Sequence, residues 1–431
     1  MSAFGYRDGV LCVDEQRLDR LAEGYGTPLY VYDAAEIRRR YARLVAAFGA
    51  PAPLFCYALK ANPTLGVVAV LAEAGAGADV VSAGELARAI KAGIAAERIV
   101  FAGVGKTREE IDAALDAGIL QFNVESLEEL AMIDAVAGER GTTAPVALRL
   151  NPDVAARTHD KIATGRRHDK FGIGSERLDE VLDLLAGLAH VRLEGLHCHI
   201  GSQIRAVADF ACAYERMVDF WRHVRARGYR PQRLNLGGGL GIADSRADGG
   251  ADELDLDAFA AMVRRVTVAV DATLVFEPGR FLVAAAGVLL ARVTLVKTGS
   301  DGRRFAVLDA GMNNLVRPAM YGAVHDALPV RRRADAALVP VDLVGPICES
   351  SDVFERDAVL PPLAEGDLLA FTNAGAYGAT MASDYNSKGM AAEVLVDGAR
   401  IDLVKPRRSA HDLMADESVP GRRVAALASG P

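Results

Sequence analysis

The chain has 431 residues, 51% hydrophobic and 25% charged, with a formal net charge of −8. That length predicts two domains, and the balance is that of a folded globular protein rather than a disordered one. An acidic balance without a basic run speaks against a nucleic-acid partner, and no apolar run is long enough for a transmembrane helix.

The positive residues should therefore act locally, on an anionic cofactor or substrate. The opening MSAFGYRDGVL lacks a basic region followed by an apolar core, so no secretory signal is expected. Five cysteines (Cys12, Cys56, Cys198, Cys212 and Cys348) are odd in number and lack CxxC spacing. They predict neither a disulfide framework nor a zinc ribbon, and they fit a reducing cytoplasm.

In chain order, residues 27–32 read first as a strand. Then eight short apolar runs follow, at 54–59, 78–81, 99–102, 121–124, 146–150, 191–196, 234–236 and 274–276. Ala-, Leu- and Glu-rich helical patterns lie between them, among them 83–92, 108–117, 126–137 and 257–270. Strand–helix alternation at this spacing predicts a parallel α/β sheet, and eight units predict a closed (β/α)8 barrel. After residue 285 the runs 287–298, 304–308, 337–344, 367–372 and 392–396 read as strands of a mainly β domain. The organisation expected is a segment 1–34 joining the β domain, a barrel over 35–285 and a C-terminal β domain over 286–431. Beyond Val404 the polar tail, with Pro406 and Pro420, is expected to fray.

Barrel active sites lie at the C-terminal strand ends. Lys60 follows the first run, and Asp79 and Glu85 mark the second. Arg149 ends the fifth, and His197 and His199 end the sixth. Gly237, Gly238 and Gly239 follow the seventh, and Glu277-Pro278-Gly279-Arg280 follows the eighth. A lysine here can be a solvated cap, or an amine that attacks a carbonyl to form a Schiff base. The glycine run lets backbone N–H groups approach an anion closely. His197 and His199 share one strand face and could be metal ligands, but no further convergent ligand accompanies them. His199 suits stacking on a flat cofactor, His197 a structural role. Glu277, deep in a barrel, needs a partner, and a protonated pyridine nitrogen would be one. GGGLG comes too late in the chain for a dinucleotide fingerprint.

These residues together resemble the diaminopimelate decarboxylase family of fold-type III, alanine-racemase-like pyridoxal-phosphate enzymes. The resemblance runs from YGTPLYVYD to SDYNSKGMAAEVLVDG. It includes YALKAN, GADVVSAGEL, RLNPDVAARTHDKIATG, DKFGI, HCHIGSQ, NLGGGLG, EPGRFLV, DAGMNNLVRPAMYGA, GPICESSD and GAYGATMASDYNS. It implies that Lys60 carries pyridoxal 5'-phosphate, with Asp79 nearby and His199 stacked on the ring. It implies that Gly237, Gly238, Gly239 and the loop Glu277, Pro278, Gly279, Arg280 hold the cofactor, with Glu277 on the ring nitrogen and Ser202 and Tyr377 at the phosphate. Substrate would be held by Arg280, Arg317, Tyr321, Glu349 and Tyr377. Cys348 would be the proton donor, and Cys348 and Glu349 would complete the neighbouring site of a homodimer.

The implied reaction is decarboxylation of meso-diaminopimelate to L-lysine in the cytoplasm, the last step of bacterial lysine synthesis, with no metal. Residue chemistry agrees: a second amino-acid end needs forked arginines for its carboxylate and an acid for its ammonium. A thiol can return a proton to a carbanion. The rivals are an ornithine, arginine or carboxynorspermidine decarboxylase, a non-catalytic binding paralogue and a metal-dependent barrel hydrolase. SKGMAAEV after YNS, and Leu59 where valine is common, depart from the family pattern.

Overall fold

Residues 3–154, 170–243, 253–333 and 336–419 are described by a computed structural model. The stretch 155–169, with His159 and His168 and most of RLNPDVAARTHDKIATG, lies outside the described residues, as does the tail from Pro420.

The eight apolar runs become eight strands: Leu54–Ala58, Gly77–Val80, Ile99–Phe101, Gln121–Val124, Ala144–Asn151, Val191–His197, Arg233–Asn235 and Thr273–Phe276. Each pairs in parallel with the next. Val275 and Phe276 pair with Leu54 and Phe55, so the last strand meets the first and the barrel closes. Helices cover the outside, which is why these strands are buried on both faces. Helix Ala83–Lys91 starts on a Ser82 cap and Arg108–Ala117 on a Thr107–Glu110 capping box. Leu127–Glu139 and Leu256–Val266 start on Ser126 and Asp255. Each cap gives an acceptor to an N–H that the first helical turn leaves open.

Strand alternation sorts the residues. Cys56, Val100 and Val275 form a small apolar cluster, while Phe55 and Phe276 stack at 5.8 Å and pack on Phe48 of the helix Ala34–Phe48. Phe259, from Leu256–Val266, meets Phe48 and Phe276 edge-on. Burying each such ring stabilises the fold by about 2–3 kcal/mol.

Beyond the barrel, one mixed sheet runs in the order Val353–Leu360, Val339–Val344, Arg304–Leu308, Gly287–Thr298, Leu29–Asp33, Ala392–Asp397, Arg400–Lys405. Leu29–Asp33 sits between Gly287–Thr298 and Ala392–Asp397, antiparallel to one and parallel to the other. The strands Ala327–Pro329, Val353–Leu360 and Arg400–Lys405 were not foreseen. Nor were the hairpin strands Phe4–Arg7, Val10–Val13 and Gln16–Arg17 with the helix Leu18–Tyr25. The frayed tail is corrected in part: Met390 bridges Arg408, and a Ser409–Asp412 capping box opens a helix at Ala410–Leu413. Arg407 anchors this stretch by donating to the carbonyls of Tyr25 and Pro28.

Candidate active site

The first barrel strand ends in one 3-10 turn, Leu59–Ala61, which lifts Lys60 to the C-terminal mouth. Its Nζ donates to Asp79 Oδ2 at 2.8 Å; the Lys60 side chain is 36% exposed and Asp79 0%. Asp79 Oδ1 is buried with no hydrogen-bond partner among the described residues. Burial pulls the Lys60 ammonium down, but the charges of Asp79 and Glu277 outweigh it and hold it above its ordinary value. Burial and the Glu277 charge push the Asp79 carboxyl up. The pair is a charged amine on a carboxylate, because the 2.8 Å contact stabilises both ionised forms.

Glu277 follows the eighth strand and is buried. Its Oε1 accepts from Asn123 Nδ2 at 2.8 Å and Asn235 Nδ2 at 2.7 Å, and its Oε2 faces His197 Nε2 at 3.1 Å. Burial alone would push this carboxyl up, but His197, Lys60 and His199 hold it well below the usual carboxylate range. It stands ionised, and an ionised carboxylate suits a cationic or N–H-bearing guest.

Gly237 and Gly239 adopt φ of +67° and +99°, a region that favours glycine. A Cβ on Gly237, Gly238 or Gly239 would collide with the carbonyls of Cys198, Glu277 and Gly201 respectively. The turn is therefore glycine by necessity, with its backbone pressed against the Glu277 loop. Glu277 N donates to Gly237 O at 2.7 Å. Gly238 N donates to His199 Nδ1 at 3.1 Å. Burial, with the charges of Lys60 and Arg149, pulls the His199 imidazole well down. A neutral flat ring accepting at Nδ1 results.

The rest of the mouth is assembled from both parts of the chain. Pro278 O accepts from Ala58 N, and Gly279 packs against Ala58 and Ala61. Arg280 donates to Ser202 Oγ at 3.2 Å and lies 4.7 Å over the Tyr377 ring. Tyr377 N donates to Ala61 O at 2.7 Å, and Asn62 Nδ2 to Gly375 O at 3.0 Å. The turn bearing Lys60 is thus tied to the loop bearing Tyr377, a tyrosine held at φ +55°. Side chains sit there only where the surroundings impose it.

Arg317 and Tyr321 lie on one short helix, Arg317–Tyr321, with Pro318 in its first turn. Arg317 Nη1 donates to His325 Nε2 at 3.0 Å, and His325 Nδ1 donates to Thr372 O at 2.7 Å. Burial, then the charges of Arg317 and Arg280, hold the His325 imidazole down to about 3. This neutral histidine links the helix to Thr372, the residue after the strand Leu368–Phe371. Cys348 and Glu349 stand elsewhere, on an exposed loop after Val339–Val344. Cys348 N donates to Asn386 Oδ1 at 3.0 Å, and Glu349 Oε1 accepts from Tyr385 OH at 2.6 Å. Among the described hydrogen bonds and ion pairs, none joins this loop to Lys60, Asp79 or Glu277 within the chain.

Other polar groups at the strand ends find partners within the chain. Arg149, at the end of the fifth strand, is buried on Glu125 at 2.5 Å and lies 4.9 Å over the Phe171 ring. Glu85 turns back to accept from Val81 N. His197, buried, faces Glu277 Oε2 at 3.1 Å and forms part of the cage around that carboxylate. Sequence reasoning gave no role to Asn62, Asn123, Asn235 or His325. A buried asparagine in a short strand, and a histidine outside any predicted strand end, offer no local signal.

The donor set fits pyridoxal phosphate. There is an amine for its aldehyde, a caged carboxylate for its ring nitrogen, a neutral imidazole for its face and a glycine turn for its phosphate. Residues 34–284 match the family model for the pyridoxal binding domain of pyridoxal-dependent decarboxylases. A diaminopimelate decarboxylase of Pseudomonas aeruginosa is 46% identical over 421 residues, covering 97% of this chain and 99% of that one. One from Zymomonas mobilis is 44% identical over 420 residues, with the same two coverages. Among solved structures, diaminopimelate decarboxylase from M. jannaschii in co-complex with L-lysine superposes with a TM-score of 0.91 at 36% identity, covering 97% of this chain and 98% of that one.

Proposed function

The chain belongs to the pyridoxal-dependent decarboxylases and, within them, to the diaminopimelate decarboxylase family, and from that premise we propose how its own residues divide the work. It catalyses the decarboxylation of meso-2,6-diaminopimelate to L-lysine and carbon dioxide, a carbon–carbon lyase reaction of lysine biosynthesis. One observation carries the assignment of roles. At one barrel mouth an amine lies on a buried carboxylate, Lys60 on Asp79, beside a second buried carboxylate caged by three nitrogen groups.

When bound, pyridoxal phosphate supplies an electron sink for the pair left at the substrate carbon as carbon dioxide departs. Lys60 would hold the cofactor's aldehyde, with Asp79 keeping the amine in place. Glu277, being ionised, would favour a proton on the ring nitrogen. His199, a neutral imidazole, would hold the ring without adding a competing charge. Gly237, Gly238, Gly239 and the loop Glu277–Arg280 would hold the phosphate with backbone donors, and Ser202 and Tyr377 would complete that end.

Arg280 and Arg317 grip the distal carboxylate of the substrate with forked donors, joined by Tyr321 and Tyr377. Glu349 takes its distal ammonium. Cys348 returns a proton to the substrate carbon. Cys348 and Glu349 are exposed; Cys348 N bonds Asn386, the Glu349 carboxylate bonds Tyr385, and no described hydrogen bond joins either residue to Lys60, Asp79 or Glu277. This placement supports a homodimer in which they complete the neighbouring subunit's site. The barrel spans about 35–285, and the β domain takes in residues 1–34 and 286–431. No helix among the described residues is long and apolar enough to cross a membrane, and all five cysteines are free thiols. Both facts support work in the cytoplasm.

The test is borohydride reduction of the protein loaded with pyridoxal phosphate, followed by peptide mapping. The label is expected on Lys60, and a label on another lysine overturns the assignment. Turnover of ornithine faster than meso-diaminopimelate would overturn the substrate.

A further inference from the structure

Polar side chains inside a barrel need a partner for nearly every atom. Here several of them form one line. Glu277 Oε1 accepts from Asn123 Nδ2 at 2.8 Å, and Asn123 Oδ1 accepts from Gln121 Nε2 at 2.9 Å. Gln121 Oε1 accepts from Arg233 Nε at 2.7 Å, and Arg233 Nη2 donates to Glu194 Oε2 at 3.1 Å. Gln121 and Asn123 are fully buried. Arg233 opens the seventh strand opposite Thr273, the first residue of the eighth, so it lies at the N-terminal floor of the barrel. Glu277, at the other end of the line, lies at the mouth.

The line has a direction. A guanidinium only donates. Gln121 must therefore turn its carbonyl to Arg233 and its amide N–H to Asn123. Asn123 must turn its carbonyl to Gln121 and its own N–H to Glu277. No other arrangement of two amides in series keeps every bond. A donor at the floor thus decides what Glu277 meets at the mouth.

We propose that Arg233, acting through Gln121 and Asn123, is a positioning residue that keeps Glu277 an acceptor-only carboxylate for the cofactor's ring nitrogen. This rests on the reading of Glu277 given above. Asn235 supplies the second N–H to Oε1, its own Oδ1 being fixed by Gly237 N at 3.0 Å. The titratable groups in electrostatic contact with Glu277 include His197, Lys60 and His199, with Asp79, Cys56 and Cys198. None of them orients the Asn123 amide, which touches only Gln121 and Glu277 through its side chain among the described hydrogen bonds.

The test is Gln121→Glu in the full chain. The new carboxylate still accepts from Arg233 but cannot donate to Asn123. The Asn123 amide turns over, points Oδ1 at Glu277, and Glu277 takes up a proton to bond it. Arg233→Glu places an acceptor at the floor and reverses the line from that end. Infrared difference spectra read the carboxyl C=O band of protonated Glu277, assigned by its loss when Glu277→Gln is added to each variant.

The wild type and Arg233→Lys, which keeps a donor, should lack the band, and Gln121→Glu and Arg233→Glu should show it. In the loaded enzyme kcat should fall about tenfold in these two while KM stays within about twofold. A band in the wild type, or none in whichever of the two reversing variants folds, overturns the proposal. The band is read with or without pyridoxal phosphate, so a missing label on Lys60 would sink the cofactor reading and leave this result standing.

Discussion

Replacing Glu277 separates its structural work from its chemical work. Three nitrogen groups face this carboxylate: Asn123 Nδ2 and Asn235 Nδ2 at Oε1, and His197 Nε2 at Oε2. Glu277→Leu removes every acceptor. Each buried donor left without one costs about 1–3 kcal/mol, so the loss should reach several kcal/mol. Glu277→Gln behaves differently. Its amide oxygen still serves both asparagines. His197, whose Nδ1 has no hydrogen-bond partner among the described residues, can move its proton there and accept from the new amide at Nε2. The stability loss should then stay near 1 kcal/mol. Yet a neutral amide cannot hold a proton on the ring nitrogen, so kcat/KM should fall about a thousandfold, equivalent to about 4 kcal/mol of barrier. Urea unfolding and carbon dioxide release measure the two effects on the same protein stocks. Activity of Glu277→Gln within about tenfold of wild type, or equal destabilisation by both variants, would refute the reasoning.

Arg317→Lys removes the forked donor that His325 orients, and should raise KM for meso-diaminopimelate about tenfold with a smaller change in kcat; a pure kcat effect in steady-state assays would contradict the substrate grip. His325 stays neutral in the fold, held down to about 3 by burial beside Arg317, whereas the unfolded chain protonates it near pH 6.5. The unfolded state therefore binds the extra proton between those values, and stability should fall as pH drops through that window, by up to about 1.4 kcal/mol per unit. Urea midpoints from pH 7 to 5 should decline more steeply for wild type than for His325→Gln, and parallel slopes would contradict this. Cys348→Ala and Lys60→Ala should each be inactive alone. Refolded together, they should recover about a quarter of wild-type activity if each site draws on two subunits, and a mixture that stays dead argues against the shared site. Phe259→Ala, in the ring cluster with Phe48 and Phe276, should cost about 3–5 kcal/mol in urea unfolding.

Apolar runs and helix pattern made the eight barrel units readable along the chain, because each strand and each helix is a run of neighbouring residues. The polar groups at strand ends, Lys60, His199, the three glycines and Glu277, were readable for the same reason: the barrel has one reactive face, and a strand end points to it. The closure itself, Val275 on Leu54, is a contact between residues more than two hundred positions apart. No local pattern records such a contact. The sheet that gathers Leu29–Asp33 between strands from the far end of the chain is similar.

The cage around Glu277 was hidden for a sharper reason. Asn123 and Gln121 alternate with apolar residues, which on sequence alone is also the pattern of a solvated strand face. Only closure of the cylinder turned that face inward, where each amide must find a partner, and so made a polar line from what otherwise reads as surface. His325 likewise acquired its role only when folding set it between Arg317 and the carbonyl of Thr372. Local periodicity determined which segments became strands and helices. Burial, which acts on residues distant in the chain, decided which polar side chains became partners.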